Sequence, residues 1–167
     1  VIAPPGGAAK EAEAKSSGVE GEIRPVRLPN GVRVLLKRQS HLPLVSVQAL
    51  VLGSSLVDTP ETAGRAALVG AMLDKGTADM TAEQIADYFD SIGGQFGTAA
   101  GRNTLYANAT VLRDDFPKAA AILAACFTRP TFPDDKFQKV KQLALGAILR
   151  RADNPQQQIM ELFADNL

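Results

Sequence analysis

The side chains able to do chemistry are few and scattered. The 167 residues contain one histidine, His41, and one cysteine, Cys126. Protein zinc sites take three or four nitrogen, sulfur or oxygen ligands. One imidazole, one thiol and dispersed carboxylates are a poor supply. Cys126 lies in Ala-Ile-Leu-Ala-Ala-Cys-Phe, an apolar helical pattern, and is expected to be a buried structural thiol. A single cysteine excludes an internal disulfide framework. His41, in His-Leu-Pro between two apolar runs, is expected to face solvent. Asp58, Glu61, Asp74 and Asp79 surround one apolar stretch. Asp74, three residues after Ala71, could face the same side as it, but a lone carboxylate without nitrogen partners is usually a solvated surface group. There is no Gly-x-Ser-x-Gly elbow and no Cys-His pair. Gly93-Gly94-x-x-Gly97 is the nearest to a phosphate loop. It leads into a strand, so no helix N-terminus is offered to an anion.

The bulk numbers narrow the class further. Hydrophobic residues make up 46% of the chain, which suits one folded domain with a tail. Eighteen basic residues balance eighteen acidic ones, leaving no charge excess that argues for nucleic acid. No apolar run approaches the roughly 20 residues of a membrane-spanning helix. Residues 1–24, rich in Ala, Gly, Glu, Lys and Ser, are expected to form a flexible leader. Such a leader fits a periplasmic or secreted protein after signal removal, and an appended tail nearly as well.

From residue 25 the pattern becomes structured. Pro25 to Lys37 reads as strand, turn, strand, with Asn30-Gly31 suggesting a two-residue type I′ turn in which both residues take positive φ. Val45–Leu52 alternates, then turns fully apolar, as a central strand would. A helix is expected over Glu61–Leu73, apolar nearly all round and therefore buried. Gly70 inside it costs about 1 kcal/mol relative to Ala, which a close approach by another element would explain. Thr81-Ala-Glu-Gln84 fits a capping box opening a second helix. Ile85, Tyr88, Phe89 and Ile92 form its inner stripe, and Gly93-Gly94 its left-handed end. Strands near Gln95–Ala100 and Thr104–Leu112 follow. A third helix spans about Asp114–Thr128, with Phe116, Ala120, Leu123 and Phe127 on one side. A fourth spans about Asp134–Arg151, with Phe137, Val140, Ala144 and Ile148 inward. After Asp153-Asn154-Pro155 a last helix runs to Leu167 without a cap, so residues 25–167 read as a domain truncated at its C-terminus. The order of elements predicts an α+β fold: a two-layer sandwich with helices packed on one face of a mostly antiparallel sheet.

Several pieces in this order resemble the N-terminal domain of the pitrilysin/insulinase (inverzincin) zinc peptidases. They are Leu28-Pro-Asn-Gly-Val-Arg-Val, then Gly53-Ser54, then the frame Gly64 to Thr77 ending Lys75-Gly76-Thr77. Gly93-Gly94, Gly97-Thr98, Thr104, Tyr106 and Asp153-Asn-Pro complete the set. In that family the helix carries His-x-x-Glu-His: two zinc ligands and the general base that activates water. A glutamate on the long helix completes the metal set. The resemblance aligns those places with Ala67, Gly70, Ala71 and Ala147, none of which has a side-chain donor.

The resemblance therefore implies a non-catalytic, peptidase-like subunit or domain, with no metal or cofactor of its own. Zinc is expected only in an active homologous partner, or in further domains of the same protein. It would pair with that partner and help form a peptide chamber. Phe96, Gly97, Thr98, Ala99 and Ala100 correspond to the strand on which active members add a peptide. An ordinary edge strand blunted by small residues is the other reading of this segment. Two alternatives stay open for the whole: an active metallopeptidase whose metal site lies in a missing region, or a structural or assembly protein of a larger complex.

Overall fold

The computed structural model describes residues 20–152, with Ile159 and Phe163 beyond them. The Asp153-Asn154-Pro155 interruption, the last helix and most of the leader lie outside the described residues. The chain divides into two units, one ending at Pro43 and the other starting at Leu44.

The first unit is an antiparallel hairpin of β1 (Ile23–Arg27) and β2 (Arg33–Lys37), in the register Ile23↔Lys37 to Arg27↔Arg33. β1 starts two residues inside the stretch read as leader. The turn differs from the expected type I′. Gly31 has φ 86° and Asn30 is not among the residues with positive φ. Gly31 N–H donates to Leu28 O, and Leu28 N–H to Val32 O. Pro29, with its fixed φ, occupies the first central position of an ordinary turn, and Gly31 supplies the left-handed residue after it. The Asn30 side chain accepts from Val32 N–H instead. His41 is 85% exposed, 3.4 Å from Glu20.

The second unit holds a three-stranded antiparallel sheet in the order β3-β5-β4: β3 (Leu44–Leu52), β4 (Gln95–Ala100) and β5 (Thr104–Leu112). β5 is central and β3 an outer strand of this sheet, which corrects the sequence reading of β3. The alternation explains why. Ala107, Ala109 and Val111 of β5 are almost fully buried on one face. Leu50 and Leu52 of β3 fall on the opposite face, 60% and 80% exposed, where Leu50 pairs Tyr106. A fully apolar run thus serves two faces, one of which is open.

Three helices cover the face carrying Ala107, Ala109 and Val111: α1 (Arg65–Met72), α2 (Ala82–Ser91) and α3 (Phe116–Thr128). This is the expected sandwich. α2 has both reciprocal bonds of its capping box. It ends with Gly93 at φ 61° and Gly94 N–H donating to Phe89 O, a left-handed cap that saturates a terminal carbonyl. Ile85 and Phe89 project inward, and the Phe89 ring stacks on Phe96 of β4 at 4.6 Å. Burial of such a side chain stabilises by about 1.5–3 kcal/mol. α3 buries Ala119, Ile122, Leu123 and Cys126 in the core; of the expected face, Leu123 is among these, Phe116 and Phe127 pack partly buried against the same core, and Ala120 is half-buried. α4 (Asp134–Ala152) packs against α1, with Phe137, Val140 and Ala144 half-buried. Ile148, expected inward, is exposed.

The first helix starts later than expected. Pro60–Thr62 forms a 3-10 turn and Gly64 breaks it with φ 90°. Gly64 offers no side-chain cap to α1. Asp58 supplies one from outside: its Oδ2 accepts from Ala66 N–H at 3.3 Å, and its Oδ1 lies 3.7 Å from Arg65 Nε. The carboxylate is nearly buried, so its negative charge meets the positive end of the helix at low screening. Asp58→Ala is expected to lower stability by about 1 kcal/mol, the usual worth of a lost N-cap. Asp58→Asn, which keeps an acceptor, should lose less. Thermal unfolding of the two variants checks the order.

Cys126 is wholly buried. Burial, with the nearby Asp74 charge adding to it, pushes its thiol up to about 11. The native thiol should therefore resist alkylation at pH 8 and react only when the chain is unfolded, which a labelling time course in and out of denaturant checks.

Candidate functional site

The region singled out by the sequence is built by α1 and β4. Ser54, just after β3, fixes the outer end of the β4–β5 hairpin. Its buried hydroxyl donates to Gly101 O at 2.6 Å, and Gly53 N–H donates to Asn103 O. At the other end, Lys75-Gly76-Thr77 forms a knot rather than a binding loop. Thr77 Oγ1 accepts from Asp79 N–H and Met80 N–H. Gly76 has φ 147°, and a Cβ there would lie 2.8 Å from Thr131 Oγ1. Thr131 N–H donates to Gly76 O. The tripeptide ties the exit of α1 to the segment before α4.

The four places aligned with metal-site residues are distributed as follows. On α1, Ala67 is exposed, Gly70 is buried and Ala71 is half-buried; on α4, Ala147 is exposed. Gly70 is the informative one. A Cβ at this position would stand 2.4 Å from Ala100 N and 2.6 Å from Ala99 C, closer than real Cβ contacts come. The expected close approach is therefore present, and its partner is the backbone of β4. A glutamate at position 70 has no room. The remaining residues do not assemble a substitute. Among the described residues no group of three or more His, Cys, Asp or Glu could hold a metal ion. Asp74 is half-buried; its Oδ2 pairs with Lys75 Nζ at 3.0 Å while its Oδ1 is buried without a hydrogen-bond partner. The donor set does not fit zinc.

Phe96, Gly97, Thr98, Ala99 and Ala100 are brought together as the outer strand of the sheet, half-buried throughout. No other strand among the described residues pairs with their outer side. A cavity of about 340 Å3 opens beside this strand, lined by Gln95 and Phe96, by Ile85, Phe89 and Asp90 of α2, and by the Asp74–Lys75 pair. Sequence reasoning found the strand and the inner stripe of α2 but not the space between them. That space depends on how two elements with separate hydrophobic faces diverge. A neighbouring cavity of about 450 Å3 is lined by the Lys75–Gln84 segment with Thr131 and Lys136. Lys136 there pairs with Glu83, whose carboxyl is held down to about 2, first by the Lys136 hydrogen bond and then by its own backbone amide.

An α+β sandwich with a helix laid across its outer strand defines the class, and sequence and structural comparison name the family. The model for Insulinase (Peptidase family M16) matches residues 33–166, and the chain belongs to this family. It is 30% identical to an uncharacterized zinc protease of Rickettsia bellii over 141 residues, covering 84% of this chain and 34% of that protein. It is 25% identical to a probable mitochondrial-processing peptidase subunit beta of Arabidopsis thaliana, covering 87% of this chain and 27% of that protein. A crystal structure of a peptidase M16 inactive domain from Pseudomonas fluorescens superposes with a TM-score of 0.74 at 26% identity, over 81% of this chain and 33% of that one. The chain spans about a third of the length of these relatives.

Gly70→Ala should destabilise the fold by about 1–3 kcal/mol through overpacking against β4. This outweighs the ~1 kcal/mol that alanine gains in helix propensity. The triple change Ala67→His, Gly70→Glu, Ala71→His should lower the melting temperature further and bind no stoichiometric zinc. Calorimetry and metal analysis of the purified variants check both statements.

Proposed function

We propose that this chain is a non-catalytic peptidase-family domain that pairs with an active zinc-peptidase homologue and contributes an extended-peptide-binding wall to it. The observation that carries the reading is the combination at α1. The family scaffold is kept, yet Ala67, Gly70, Ala71 and Ala147 offer no ligand and no base. Gly70 is moreover committed to packing on β4. A domain that holds peptide without cutting it needs the outer strand and not the metal. Support also comes from the similarity to a solved domain described as inactive. The composition of residues 1–24 supports a periplasmic or secreted location for the protein.

A second reading has its own support. The chain covers only a third of relatives described as zinc proteases, so an intact metal site in the remainder of a longer protein would make the whole an active peptidase.

The test is reconstitution. The chain is mixed with a His-x-x-Glu-His-bearing homologue from the same genome, and hydrolysis of a quenched fluorescent peptide is followed. Co-elution of the two, with cleavage raised at least about tenfold over the homologue alone, is the expected result. Absence of both overturns the pairing. Cleavage by this chain alone, abolished by a chelator, would overturn its non-catalytic assignment.

A further inference from the structure

We draw no further inference here: the strongest candidate, the exposed apolar patch of Leu143, Leu145, Ile148 and Leu149 on α4, carries none, because nothing in the structure shows what covers it.

Discussion

The packing of α1 on the sheet depends on one contact, the laying of the helix at Gly70 against the Ala99–Ala100 backbone of β4. Two backbones approach this closely only where one residue lacks a Cβ. The contact sets the position of the helix over the sheet. It also leaves no room for a longer side chain at this position. Packing and chemistry compete for one position here, and packing has it.

The rest of the unit holds that contact from both ends. Asp58 caps the start of α1 from outside the helix, because Gly64 bends the chain there and has no side chain to do so. Thr77 and Gly76 anchor its exit to the segment before α4. Ser54 bonds the β4–β5 turn to the end of β3, holding Ala100 where the helix meets it. These are small, buried, hydrogen-bonded residues, the kind whose loss leaves unsatisfied polar groups in the interior. Of the residues that mark the family in the sequence, Ser54 and Gly70 fasten the α1–β4 junction, and Gly76 and Thr77 the exit of α1. Their retention without metal ligands is what a scaffold kept for holding rather than cutting would require.

The pattern also explains the uneven surface. α2 and α3 bury well-defined faces, whereas β3 leaves Leu50 and Leu52 exposed and α4 leaves Leu143, Leu145, Ile148 and Leu149 exposed. Exposed apolar residues in such number on two elements mark surfaces suited to contact. They lie away from the lining of the bay beside β4.

The sequence by itself determined the class of fold, the helix boundaries at Thr81 and Gly93, the buried thiol of Cys126 and the absence of donors at positions 67, 70, 71 and 147. Each of these is local: capping chemistry, periodicity and side-chain type need no knowledge of neighbours. It also foretold that Gly70 marks a close approach, since a glycine inside an apolar helix costs stability unless something comes near. Only the tertiary structure decided what approaches. It also decided that β5 rather than β3 lies at the centre, that Pro29 and Gly31 rather than an Asn-Gly pair shape the first turn, and that a distant Asp58 caps α1. An apolar run such as Ala49–Leu52 reads the same whether its neighbours lie on one side or two. Strand order, remote capping and the bay beside Phe96 come from contacts between residues far apart in the chain, which no local pattern encodes.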